Sequence, residues 1–256
     1  MKRGIKAFTA RSVCVLTLLL AAGILTVGSP AGAGLVVYYN FNDSGTPATA
    51  TDTSGLGHDG TISGATYTAD GGGQSGVTGD RAMNFQPSQG VAIPAAGTGG
   101  FASITANDAA TVSLWVYGDT TQPRSDSAFG FDNAASGRVL QSHLPWSGGT
   151  IYWDIGNNDN VCCGGGERIS KLESDPNKYR GGWNYYTFVK EPGTGPTGMK
   201  IYQNGALWHQ GSAGVNLGTI VNGFVGRDPD GNYYDGQIDD FAVYDTAISP
   251  QTIAAM

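Results

Sequence analysis

Two groups of side chains in this 256-residue chain are of types and spacings that could do chemistry. The first is Asp239 and Asp240, adjacent in "GQIDDFAVYDTAIS" (236–249). A strand sends neighbouring side chains to opposite faces, so Asp239 groups with Phe241 and Val243, and Asp240 with Ile238, Ala242 and Tyr244. With Phe241 and Val243 in the core, Asp239 is the inward carboxylate. Buried without a partner it is costly, so it must accept hydrogen bonds, pair, or hold a cation. The loop "DTSGLG" (52–57) offers two of these solutions. Asp52 and the loop carbonyls are hard oxygen ligands of the kind Ca²⁺ prefers, and the loop N–H groups could satisfy Asp239 without a metal. Either way, Asp239 is expected to tie the last strand to the first loop.

The second group is aromatic. Sugars are held by rings beside planar hydrogen-bonding side chains. In "TVSLWVY" (111–117), Val112, Leu114 and Val116 share one face, and Thr111, Ser113, Trp115 and Tyr117 the other. In "TIYWDI" (150–155), Ile151, Trp153 and Ile155 form the buried set, and Tyr152 and Asp154 face away. If both strands belong to one concave sheet, Trp115, Tyr117, Tyr152 and Asp154 line a groove, with Trp146 and His143 at its rim. The alternative is ordinary packing under loops.

Catalytic patterns are scarce. Only Glu167, Glu173 and Glu191 accompany 18 Asp, and none has the Glu-x-Asp-x-x-Glu spacing that places two carboxylates about a glycosidic bond. There is no Gly-x-Ser-x-Gly elbow, and His58, His143 and His209 lack the paired spacing of a zinc site. "DPDGN" (228–232) mimics a calcium loop, but Tyr233 stands where such a loop needs glycine, so a hairpin turn is expected.

These residues need strands to hold them. Short apolar runs recur between Gly, Asn, Asp and Pro turns at 35–41, 81–85, 90–93, 111–117, 128–132, 138–144, 150–156, 183–190, 199–205, 223–227 and 236–245. Asn204-Gly205 is the strongest hairpin signal. The single helix expected is terminal, with Ser249 as cap and Pro250 in the first turn. The pattern predicts an all-β fold, a two-sheet antiparallel jelly-roll sandwich with a short C-terminal helix.

Lys2, Arg3, Lys6 and Arg11 precede the apolar run "SVCVLTLLLAAGILTVG" and then "SPAGAG", the succession of a secretory leader cut after Ala33. Cys14 lies within the apolar run rather than at the cleavage point, which argues against a lipid anchor. Residues 34–256 then form one domain, expected outside the cell, with no segment left to insert into a membrane. The leader takes four of the 14 basic residues and none of the 21 acids, leaving a net charge of −11. No basic patch remains for nucleic acid. Of the cysteines only the adjacent Cys162 and Cys163 follow the leader; in an oxidising compartment a vicinal disulfide is expected, with an intermolecular bridge or a free thiol pair as the alternatives.

"YYNFND", "DTSGLGHDGTISGATY", "AMNF", "TVSLWVY", "WNYYTFVK", "MKIYQNGAL" and "GRDPDGNYYDGQIDDFAVYDTAISPQTIAAM" resemble, in order and spacing, the laminin G-like jelly-roll domains of the concanavalin A-like lectin/glucanase superfamily. The resemblance is to secreted bacterial members and covers about residues 35–256. It implies two antiparallel sheets, frequent carbohydrate binding or adhesion, and often a structural Ca²⁺ near the start of the last strand. It does not imply catalysis. Segment 133–181 departs from the general pattern. The expected role is a noncatalytic module that recognises a glycan or cell-surface ligand. The rival is a structural surface component, and the third possibility a glycan-cleaving enzyme.

Overall fold

The computed structural model describes residues 34–44, 47–95, 99–133, 137–156 and 166–256. The expected leader and the Cys162–Cys163 pair lie outside them. Among the described residues sixteen strands follow one another. The first six are β1 (Leu35–Tyr39), β2 (Thr49–Ala50), β3 (Gly60–Ser63), β4 (Thr66–Tyr67), β5 (Met83–Phe85) and β6 (Gly90–Ile93). After helix α1 (Phe101–Asn107) come β7 (Ala110–Gly118), β8 (Ser127–Asp132), β9 (Arg138–His143), β10 (Thr150–Gly156) and β11 (Gly166–Leu172). Then follow β12 (Asn184–Lys190), β13 (Gly195–Gln203), β14 (Ala206–Ala213), β15 (Asn222–Val225), β16 (Gly236–Tyr244) and helix α2 (Pro250–Ile253).

They form two eight-stranded antiparallel sheets. The first runs β14-β13-β12-β7-β16-β5-β4, with β1 on the second half of β16. The second runs β11-β10-β9-β8-β15-β6-β3-β2. This is the expected jelly-roll sandwich. Alternation fills the space between the sheets. Val112, Leu114 and Val116 of β7 face Ile151, Trp153 and Ile155 of β10 across one core. Phe129 of the second sheet joins them, 5.5 Å from Phe188 and 6.1 Å from Phe241 of the first, centroid to centroid. Each such ring contributes about 1.5–3 kcal/mol by burial.

Asn204 and Gly205 (φ 50° and 79°) make the predicted hairpin turn between β13 and β14. At α2, Ser249 Oγ accepts the Thr252 N–H at 3.2 Å. Removing this cap with Ser249→Ala should cost about 1 kcal/mol in urea unfolding, and no measurable change would contradict the capping role.

Two sequence expectations are corrected here. First, β7 and β10 do not share a sheet. β7 pairs with β12 and β16, whereas β10 pairs with β9 and β11. Trp115 and Tyr117 therefore lie on the opposite side of the sandwich from Tyr152, Asp154, His143 and Trp146, and no single groove joins them. Second, alternation breaks at a β-bulge. Asp240 takes the left-handed conformation (φ 48°), and the β16–β7 register shifts between Asp239 and Ala242. Ile238 joins Phe241 and Val243 in the core. Asp239 pairs in register with Trp115 on the outer face, buried beneath the 70–80 loop, where it accepts the Gln74 N–H at 2.9 Å. It does not face the core, and the loop it ties down is not the 52–57 loop.

Candidate functional site

The outer face of the second sheet carries one row of residues in register across seven strands: Thr61, Ala92, Phe224, Gly130, Gln141, Asp154 and Arg168. The 228–232 turn, predicted as a hairpin turn and found as one, lies on this row. A Cβ on Gly130 would meet Asp228 Cα and Cβ at 2.9 Å and Pro229 Cδ at 2.8 Å, so only glycine lets the turn sit there. The turn divides the face in two.

On one half lies a cavity of about 200 Å³ lined by Arg138, His143, Trp146, Tyr152 and Arg168. Strand alternation aims Tyr152 and Asp154 of β10 outward, as expected, because Ile151, Trp153 and Ile155 take the core. Asp154 is fully buried behind the cavity. Arg168 Nε meets its Oδ1 at 2.6 Å, and Arg168 Nη2 its Oδ2 at 2.6 Å, a bidentate fork. Arg138 Nη1 reaches Oδ2 at 3.1 Å, while its Nη2 pairs with Asp230 at 2.8 Å. One carboxylate thereby fixes two guanidinium groups. The Arg168 guanidinium lies 4.6 Å from the Tyr152 ring centroid. His143 stands edge-on to Tyr152 at 5.7 Å and close to Trp146 at 4.4 Å.

His143 is held from behind. Asp228 Oδ2 accepts from Ser127 Oγ at 2.7 Å and from Gln141 Nε2 at 2.8 Å. With the Ser127 proton directed to Asp228, His143 Nδ1 donates to Ser127 Oγ (2.7 Å). Its Nε2 is left as acceptor, facing Gln141 Nε2 at 3.3 Å. Burial pushes the His143 pKa down to about 4, so the ring is neutral at ordinary pH. The order acid–serine–histidine differs from a hydrolase triad, in which histidine stands between acid and serine. Here the imidazole donates to Ser127 and the Asp228 carboxylate accepts from it, and the chain of bonds fixes the orientation of His143.

The three Glu are placed away from this cavity's lining. Glu173 accepts from the Asp175 N–H and Gln203, and Glu191 pairs with Lys200.

On the opposite side of the molecule, Trp115, Trp183, Tyr185, Asn204, Gly205, Ile253 of α2, Ala254 and Met256 line a cavity of about 360 Å³. Trp115 leans on Tyr185 at 5.1 Å, and Tyr117 stands edge-on to Trp183 at 5.7 Å. Asn204 is occupied with the Tyr185 N–H and Asn184, and the C-terminal segment covers part of this face through Ile248 and, from α2, Ile253.

The candidate calcium residues are also separated in role. Asp52 accepts from the N–H groups of Tyr38, Ser54 and His58 and from the Ser54 hydroxyl. Burial alone would raise its pKa, but these bonds outweigh it and hold the carboxyl below its usual range. Its lone pairs are taken by its own loop and by β1. Asp239 accepts from Gln74 and from the Asp240 N–H at 2.8 Å. Among the described residues no three His, Cys, Asp or Glu side chains gather to hold a metal ion. A calcium ion shared by Asp52 and Asp239 does not fit this arrangement.

Sequence reasoning missed Arg138 and Arg168, and it read the 228–232 turn without bringing its Asp228 and Asp230 to this site. The available signal was Asp154 itself, a lone charge in an apolar strand, which asks for a cationic partner.

Among solved structures, the chain resembles domain 4 of AbnA, an extracellular GH43 arabinanase of Geobacillus stearothermophilus, in complex with arabinotriose. The identity is 18%, the TM-score 0.57, and the match covers 87% of this chain and 98% of that one. It also resembles the botulinum neurotoxin serotype D binding domain (16% identity, TM-score 0.61, covering 87% and 51%). The binding domain of botulinum neurotoxin DC, in complex with rat synaptotagmin II, is similar at 15% identity and TM-score 0.61, with the same coverage. The chain spans about half the length of these neurotoxin domains. At such identities the likeness concerns the fold. No curated protein sequence matches the chain. The profile of the concanavalin A-like lectin/glucanases superfamily matches residues 85–254, two-thirds of the chain, with the β7, β12, β13 and β16 motifs and the residues that line the cavity before Asp154 inside it. The chain belongs to the concanavalin A-like lectin/glucanases superfamily.

Proposed function

We propose that this protein is a secreted, noncatalytic recognition module that binds a carbohydrate in the cavity of the second sheet. The observation that carries the proposal is the buried Asp154, which fixes Arg138 and Arg168 beside Tyr152 and Trp146. Few polar groups in fixed positions between aromatic walls are what an orienting ligand site needs. Two further points support it. The arabinanase domain of this fold was solved with arabinotriose, and the neurotoxin domains of this fold are binding domains. Export is supported by the leader pattern of residues 1–33, and among the described residues no helix is long and apolar enough to cross a membrane.

The test is a glycan-array screen of the exported chain, followed by Tyr152→Ala. Loss of the ring should weaken the best glycan at least tenfold, or about 1.4 kcal/mol, while the melting temperature moves little. A variant that binds as well as the wild type would refute this site, and so would an array without any bound glycan.

A further inference from the structure

The other half of the same face holds a second cavity, about 150 Å³, on the far side of the 228–232 turn. Ser63, Ser88, Gln89, Gly90, Ala92, Arg227 and Tyr233 line it. Arg227 is its centre. The guanidinium carbon lies 3.8 Å from the Phe224 ring centroid and 6.0 Å from that of Tyr233. Its stem is laid flat by a glycine. A Cβ on Gly90 would stand 3.0 Å from Arg227 Cδ and 3.3 Å from Nε, so any larger residue would press on the side chain. The β-bridge between Arg227 and Tyr233 fixes the backbone from which both side chains leave. Stacking on a ring face leaves the five N–H donors in the guanidinium plane directed sideways. Among the described residues no carboxylate lies within ion-pair distance of this guanidinium, although its charge is felt by Asp132. Arg138 and Arg168, by contrast, are committed to Asp154. In a chain of net charge −7, a planar cation is thus held rigidly in a polar hollow with hydroxyl and amide neighbours.

We propose that the Arg227 hollow binds the carboxylate of an acidic sugar, a uronate. A fixed guanidinium matches a carboxylate in a two-point fork. Ser63, Ser88 and Gln89 offer partners to ring hydroxyls, and Tyr233 a wall for the pyranose. The sugar class rests on the carbohydrate reading of this face, but the anion contact does not.

The test follows the Arg227 Nε–H and Tyr233 ring resonances of the exported chain during titration with glucuronate, with glucose and with inorganic sulfate. Glucuronate should shift both signals and glucose neither. Arg227→Gln, which keeps much of the stem, should weaken glucuronate at least tenfold without lowering the melting temperature. Arg227→Lys keeps the charge but loses the fork, and should recover only part of the affinity. Tyr152→Ala should leave the response intact. A silent Arg227, or equal shifts with glucose, would overturn the inference. Sulfate matching glucuronate in affinity would make this a general anion site and overturn the sugar class. Glucuronate binding abolished by Tyr152→Ala and untouched by Arg227→Gln would move the ligand to the Asp154 cavity, leaving the proposed function standing and this inference refuted.

Discussion

Asp154→Ala should destabilise the fold by about 3 kcal/mol, within the range expected when one partner of a buried ion pair is removed. The carboxylate is fully buried and accepts three hydrogen bonds from Arg138 and Arg168. Its removal leaves two guanidinium groups facing each other across a gap. Arg168 is about a third exposed and can swing into water, which holds the cost towards the lower end. Urea unfolding measures the loss, and a change below about 1 kcal/mol would show that solvent already carries these charges. The triple replacement Arg138→Met/Asp154→Leu/Arg168→Met separates stability from organisation. Apolar replacement of a whole buried ionic group is often neutral or stabilising. The triple variant should regain most of the lost stability and still not bind the glycan that the Asp154 cavity selects. Retained binding would mean that the guanidinium groups contribute nothing to recognition.

Asp239 predicts a pH dependence of unusual sign for an acid. Burial under the 70–80 loop, together with the like charges of Asp240 and Asp80, pushes its pKa from 3.8 up to about 8. The folded state therefore holds a proton that the unfolded state releases. Its stabilising contribution is complete below pH 3.8 and is lost as pH rises towards 8, by at most about 1.4 kcal/mol per pH unit. Asp126, raised to about 6 chiefly by burial, declines over the lower part of this range. His143, depressed to about 4, has the opposite effect between its folded value and 6.5. The interval from about pH 6 to 8 thus belongs chiefly to Asp239. Wild-type stability should fall across it. Asp239→Asn should flatten it, at a pH-independent cost of about 1–3 kcal/mol because an amide nitrogen replaces one of two accepting oxygens. A wild type whose stability is constant from pH 6 to 8, or a variant that keeps the slope, would contradict the burial of this carboxylate. EDTA should leave both curves unchanged.

The strands that read clearly from sequence are those whose alternation is driven by large apolar residues. β6 and β10 have the expected bounds, and β7, β8, β9, β12 and β16 lie within a residue or so of them. β11, "GERISKL", and β14, "ALWHQGSA", are polar edge strands without a periodic apolar face, and they escaped notice. Helix α1 also escaped, since its cap Gly100 offers no side-chain signal. Alternation states which side chains share a face of their own strand, so Val112 and Trp153 were legible as core. It does not state which sheet a strand joins. That is why Trp115 and Tyr152 could be imagined in one groove although the core lies between them. Nor does it foresee a bulge. Asp240 in the left-handed region carries no distinctive neighbour in the sequence, and that single residue reverses the facing of Asp239. The second cavity depends on Gly90 lying under Arg227, a contact remote in sequence that no local pattern encodes.

The most direct measurement compares Tyr152→Ala with Trp115→Ala for one array-selected glycan, by calorimetry and per folded molecule. The two residues occupy outer faces of different sheets. If recognition belongs to the cavity organised by Asp154, Tyr152→Ala loses at least tenfold in affinity and Trp115→Ala binds as the wild type does. Loss with Trp115→Ala and full binding by Tyr152→Ala would place the ligand on the opposite side of the sandwich and contradict the account.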